Sequence, residues 1–172
     1  FWRYHPQPPD VDIPDEAVAA ALKSFHASCA QISAELRATL PSYLAELDSV
    51  SELLRDADRL SALPTKDRLL LIRVFDDARQ RLQVESCADG HAVIHGAPHP
   101  YNVLLVDGAP RFIDFETTCI GPVEWDLAHT SPDAAAHDAG AVNRQLLETC
   151  RDLVRVNTAA WCWADPRSGR RD

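Results

Sequence analysis

The chain predicts an α+β fold that is mainly α, with a small β-hairpin element near its centre. Three observations carry this expectation. Long stretches before residue 86 and after residue 120 repeat apolar residues at three- and four-residue steps, the period of a helix face. Between them lie short β-branched runs with the length of strands. Two of those runs are joined by Asp107-Gly108, a dipeptide suited to a two-residue hairpin turn.

In chain order, Pro6, Pro8 and Pro9 impose an extended opening that cannot be helical. Pro14 is tolerated in a first helical turn, Asp15 and Glu16 suit a helix N-terminus, and the alanine-rich run that follows predicts a helix to about Cys29. A second helix is expected from near Pro41 to Arg55, with Leu44, Leu47, Val50 and Leu54 on its apolar face. A third begins after Pro64 with Thr65 as N-cap, and Leu71, Val74, Phe75, Ala78 and Leu82 form its stripe. Ala92-Val93-Ile94, Val103-Leu104-Leu105-Val106 and Arg111-Phe112-Ile113 predict three strands. Two more helices follow, from Val123 to His129 and from about Ala139 to Trp163. Val142, Leu146, Cys150, Leu153 and Val154 supply the core face of the longer one.

Bulk properties exclude several function classes. The 172 residues suffice for one domain with its own core, and 46% hydrophobic with 25% charged residues is ordinary for a globular protein. A formal net charge of −9 argues against a nucleic-acid partner, which wants a basic face. No apolar run reaches the roughly 18 residues of a membrane span, so no membrane partner is expected. Five cysteines are scattered without a CxxC pair, which points to a reducing cytoplasm rather than a disulfide framework. The chain contains no methionine and opens on Phe1-Trp2-Arg3-Tyr4, which predicts a fragment or a processed chain.

The unusual chemistry crowds into the segment from Val93 to Ala128, VIHGAPHPYNVLLVDGAPRFIDFETTCIGPVEWDLA. Its order is strand, His-led loop, Asn, hairpin, then apolar-Asp-Phe. Phosphoryl transfer passes through a loose transition state, so its site needs hard oxygen ligands for a metal and a group that orients the attacking hydroxyl. Protein kinases meet this with a HRDxxxxN loop and a following Asp-Phe-Gly. A competing pattern, Cys87, His91, His95 and His99 at every fourth residue, would be a metal face only on a helix. The strand and Pro98 and Pro100 in that stretch argue against a zinc site.

The loop His95-Gly96-Ala97-Pro98-His99-Pro100-Tyr101-Asn102, the later Ile113-Asp114-Phe115-Glu116, and Gly121-Pro122-Val123-Glu124-Trp125-Asp126-Leu127-Ala128 together resemble the aminoglycoside phosphotransferase and choline kinase family. That family's loop usually reads HGDxHxxN. Leu22-Lys23-Ser24-Phe25-His26 resembles its early helix, and Phe1-Trp2-Arg3-Tyr4 its strand between lobes. The resemblance implies a protein-kinase-like C-terminal lobe. It divides the chain into an interlobe strand or linker remnant (1–12), the catalytic-loop lobe (13–164) and a frayed tail (165–172).

The resemblance also implies roles. Asn102 and Asp114 would hold Mg²⁺, His99 would face the γ-phosphate of ATP or GTP, and His95 would brace the loop. Asp126 would accept backbone N–H groups of the loop, and Glu116 would face metal or substrate. The partner implied is a small hydroxylated substrate. Read from the residues alone, His99 serves equally as a loop hydrogen bonder and Asn102 as a turn cap. Asp114, at an apolar strand end, is expected to need a partner, because a lone buried carboxylate is costly.

Two departures qualify the resemblance. Ala97 stands where the family carries its catalytic acid, and a methyl group neither takes the hydroxyl proton nor orients the acceptor. No G-x-G loop covers phosphates, and the two lysines, Lys23 and Lys66, both sit in helical context, so the nucleotide-binding lobe is missing from the sequence. That lobe, or a partner, is expected to cover the Phe1-Trp2 face. Two functions stay open: a nucleotide-dependent small-molecule kinase, and a pseudokinase-like module that binds a ligand or partner without chemistry.

Overall fold

A computed structural model describes residues 13–85, 90–137 and 142–164. Its elements in chain order are α1 (Asp15–Cys29), α2 (Ala34–Arg37), α3 (Leu44–Arg55), α4 (Thr65–Glu85), β1 (Ala92–Ile94), β2 (Val103–Val106), β3 (Ala109–Phe112), β4 (Cys119–Gly121), α5 (Val123–Ala128), α6 (Pro132–His137) and α7 (Arg144–Ala164). The fold is α+β and mainly α. The strands form two antiparallel pairs, β1 with β4 and β2 with β3. Described residues group into two compact units, one drawn from 1–41 and 91–142 and the other from 42–90 and 143–172.

The first unit carries the central segment. Helix α1 packs on β1, β3 and α6, and α5 packs on β1. The hairpin of β2 and β3 pairs Val103 with Phe112 and Val106 with Ala109, and turns through Asp107 (φ 52°) and Gly108 (φ 78°). Two positive φ values in a two-residue loop match the twist of the flanking strands. Strand β1 pairs with β4 in the register Val93 to Ile120. The core of this unit includes Leu22, Ile94, Trp125 and Leu127, each at most 1% exposed.

The second unit is a set of packed helices, α3, α4 and α7. Leu47, Val50, Leu53 and Leu54 of α3 are fully buried, as are Phe75 and Ala78 of α4 and Cys150 and Leu153 of α7. Burial at three- and four-residue steps on each helix is what makes the helices stable, because propensity alone seldom suffices. Ion pairs such as Arg55–Asp76 (2.8 Å) and Arg81–Asp152 (2.7 Å) lie on exposed faces and contribute little.

Several boundaries differ from the sequence expectation. Helix α3 begins at Leu44, not near Pro41, because the Pro41 carbonyl accepts the Ile120 N–H (2.8 Å) outside the helix. Leu44 is 39% exposed, and Leu53 takes the core position instead. Thr65 is the first helical residue rather than the N-cap: the Pro64 carbonyl accepts from Arg68, so Pro64 caps. Val142 precedes α7, whose first turn is capped by the Asn143 side chain accepting from Gln145 and Leu146 (3.1 and 3.2 Å). The third strand spans Ala109–Phe112, and Ile113 lies beyond it. Helices α2 and α6 and strand β4 were not anticipated. The proposed start of the last helix at Ala139, the remnant at 1–12 and the tail at 165–172 lie outside the described residues.

Candidate functional site

The site is built around the buried carboxylate of Asp126 on α5. Its Oδ2 accepts the backbone N–H of His95 (2.9 Å) and a bond from His26 Nε2 (2.7 Å), and its Oδ1 accepts the Gly96 N–H (2.8 Å). Asp126 is 0% exposed, so these donors stand in for the water it has lost. Trp125 Nε1 donates to the Gly96 carbonyl (2.8 Å) and Thr117 Oγ1 to the His95 carbonyl (3.0 Å). The turn after β1 is therefore clamped at both backbone donors and both acceptors.

Gly96 is required here. Its φ is +91°, and a Cβ would lie 2.2 Å from the Thr117 carbonyl oxygen. Side chains are excluded on both counts.

His95 Nε2 donates to the Ile113 carbonyl (3.0 Å), which leaves Nδ1 as acceptor toward the Ala97 N–H (3.4 Å). That arrangement describes a neutral imidazole. Burial pushes the His95 pKa below its ordinary value, only partly opposed by the Ile113 bond and by the Asp126 and Asp114 charges. Rings of Phe25, Phe112 and Phe115 surround His95 at centroid distances of 5.9, 5.5 and 5.0 Å.

The loop then meets the hairpin. Asn102 is buried, and its Nδ2 donates to the Ala97 carbonyl (3.0 Å). With its amide N–H₂ turned to the loop, its Oδ1 is the atom left to accept or ligate. The Ile113 N–H donates to the Asn102 carbonyl (3.0 Å), continuing the β2–β3 ladder by one step, and Asp114 is the next residue in the chain. Asp114 has φ 64°, ψ 64°, a left-handed conformation that Asp tolerates better than most residues. The residue is exposed. This corrects the expectation of a buried carboxylate: the left-handed turn into the 3₁₀ segment Phe115–Thr117 carries it out of the apolar strand.

Glu116 is likewise exposed. His99 is half-buried, its Nδ1 is sealed from solvent without a hydrogen-bond partner, and its ring meets Tyr101 edge-on at 6.0 Å. His129, at the end of α5, also has an unpartnered buried nitrogen, Nε2, and burial pushes its pKa down to about 4. Among the described residues no group of three or more His, Cys, Asp or Glu is placed to hold a metal ion. Ala97, at the loop's centre, offers only a methyl group.

A model of the phosphotransferase enzyme family (APH) matches residues 4–166. The chain belongs to that family. Two solved structures of spectinomycin phosphotransferase, APH(9)-Ia, resemble this phosphotransferase-family chain in fold. The AMP-bound complex superposes with a TM-score of 0.68 at 14% identity, covering 88% of this chain and 58% of that one. The complex with ADP and spectinomycin gives 0.71 at 13% identity, covering 99% and 62%. The chain thus spans about three fifths of the length of these structures. No curated protein sequence matches it at a significant level. No described helix of this family member is long and apolar enough to cross a membrane.

Sequence reasoning missed the contribution of His26. It lies 100 residues before Asp126, and only the family's early-helix pattern marked it. The Trp125 and Thr117 clamps were missed for the same reason: a side chain's bond to a distant carbonyl leaves no local pattern.

Proposed function

We propose that this chain is the substrate-side lobe of a small-molecule kinase that moves the γ-phosphate of a nucleoside triphosphate to a hydroxyl. The observation that carries this reading is the Asp126-clamped loop, followed by a hairpin whose ladder runs on through the Ile113 N–H to the Asn102 carbonyl, with Asp114 the next residue in the chain. The nucleotides bound by the spectinomycin phosphotransferase structures support a nucleotide donor, and spectinomycin supports a hydroxylated acceptor.

The pair Asn102 and Asp114 fits Mg²⁺: an amide oxygen whose N–H₂ is engaged elsewhere and an exposed carboxylate, both hard donors. When bound there, Mg²⁺ neutralises phosphate charge. The chain's own residues do the rest. His95 stays neutral and holds the loop to the Ile113 carbonyl, so the loop does not shift as charge develops. In the transfer the acceptor oxygen bonds to the γ-phosphorus as the bond to the bridging oxygen breaks, and the hydroxyl proton must leave.

Ala97 cannot take that proton. His99 and the exposed Glu116 are the groups left to substitute for it. Loss of a general base costs about 10²–10⁴ in rate. That same methyl group supports the second reading, a module that binds nucleotide or ligand without chemistry.

Ala97→Asp distinguishes the two. As a kinase, the variant gains about 10²–10⁴ in Mg²⁺-dependent turnover over the parent, and adding Asp114→Ala returns it to background. If Ala97→Asp binds nucleotide and Mg²⁺ yet shows no turnover on any hydroxylated acceptor tried, the binding reading holds.

A further inference from the structure

Two histidine nitrogens in the first unit are left over by the site. His99 Nδ1 and His129 Nε2 are both sealed from solvent, and neither has a hydrogen-bond partner among the described residues. A neutral imidazole nitrogen carries either a hydrogen to give or a lone pair to receive one, and folded proteins seldom leave a buried one unmet.

The fold brings the two rings into one neighbourhood. Helix α5 lays a face along the catalytic loop: Trp125 donates to the Gly96 carbonyl (2.8 Å), and His129, one turn further on, meets the Trp125 ring edge-on at 5.7 Å. His99 lies three residues beyond Gly96 in that loop. The residues flanking each histidine, Pro98 and Pro100 on one side and Thr130 and Ser131 on the other, line one cavity of about 210 Å³. The two histidines therefore sit on facing stretches of chain, and a positive charge on His99 is felt at His129.

Burial pushes the His129 pKa down to about 4, so at neutral pH its ring is uncharged and bears one hydrogen. Two unmet polar atoms on facing segments are what an internal water needs, and one water can receive from one nitrogen while giving to the other. Left to itself, a neutral histidine favours the hydrogen on Nε2. One arrangement keeps that preference in both rings: His129 Nε2–H gives to the water, the water gives to the His99 Nδ1 lone pair, and the His99 hydrogen sits on Nε2.

We propose that His129 is a positioning residue for His99, holding it through one internal water in the Nε2–H tautomer. Because Nδ1 is sealed, His99 meets a ligand through its other edge, and there it is a hydrogen donor and not a base. Under the kinase reading, on which this consequence rests, His99 gives its hydrogen to a phosphate oxygen, and the proton of the acceptor hydroxyl is left to Glu116.

The test uses the full chain without substrate or nucleotide, so its outcome is independent of that reading. Two-bond ¹H–¹⁵N spectra are expected to show the His99 hydrogen on Nε2 alone. The Hε1 protons of both rings are expected to show NOEs to water with the sign of a long-lived internal molecule. His129→Phe removes the donor and is expected to move the two His99 nitrogen signals toward their average, while His95 keeps its own Nε2–H form. His129→Gln, whose amide still gives a hydrogen near the place of Nε2, is expected to restore the parent pattern. A His99 hydrogen on Nδ1, no long-lived water at either ring, or a tautomer indifferent to His129→Phe would each overturn the proposal. The first two are read on the parent chain, so they decide it even if His129→Phe does not fold.

Discussion

The most informative single residue is His129. Its pKa stands at about 4 against an ordinary 6.5, because burial outweighs the nearby Asp126 charge, while His99 and His95 push in the same direction as burial. The sign follows from linkage. At pH 7 folded and unfolded chains both hold a neutral imidazole. As pH falls through 6.5 the unfolded chain gains a proton that the folded chain refuses until about pH 4, so stability drops across that window. The contribution is roughly 3 kcal/mol. Urea unfolding followed from pH 7 to pH 4 is expected to show this loss, and His129→Gln to remove roughly that much of it. A variant with the same pH slope as the parent would mean the imidazole is not the buried group it looks to be. His95, also pushed down by burial, adds a slope of the same sign.

Among the elements, two turns contain a positive-φ glycine, and they differ in a way that separates conformation from space. At Gly108 nothing lies within 4 Å of where a Cβ would stand, so Gly108→Ala meets only the φ of +78°, about 1–2 kcal/mol. At Gly96 the same φ penalty is joined by a contact of 2.2 Å with backbone, and overpacking adds about 1–3 kcal/mol. Chemical denaturation is expected to rank Gly96→Ala well below Gly108→Ala; equal losses would deny that the loop is pressed against Thr117. The hairpin was legible in the sequence because its turn and strands are local: Asp107-Gly108 announces itself. Strand β4 was not, since Cys119-Ile120-Gly121 becomes a strand only by pairing with β1 some 27 residues away in the register of Ile120 with Val93. Helices α2 and α6, of four and six residues, are shorter than the window in which a helical period can be read. The exposure of Asp114 also escaped, because it depends on one left-handed φ.

For the whole molecule, the family assignment and the mainly helical α+β fold were both legible, carried by the ordered run of loop, hairpin and Trp125-Asp126-Leu127-Ala128. Which side chains clamp that run was not, because His26 and Asp126 meet across 100 residues. The central claim is that one amide and one carboxylate on adjacent hairpin ends share a divalent ion in the presence of nucleotide. Paramagnetic Mn²⁺ in place of Mg²⁺ tests it directly: with ADP present, substoichiometric Mn²⁺ is expected to broaden the Asn102 side-chain amide and the Asp114 backbone signal first, and Asp114→Ala to abolish the effect. Broadening centred elsewhere, or unchanged by Asp114→Ala, would contradict the account.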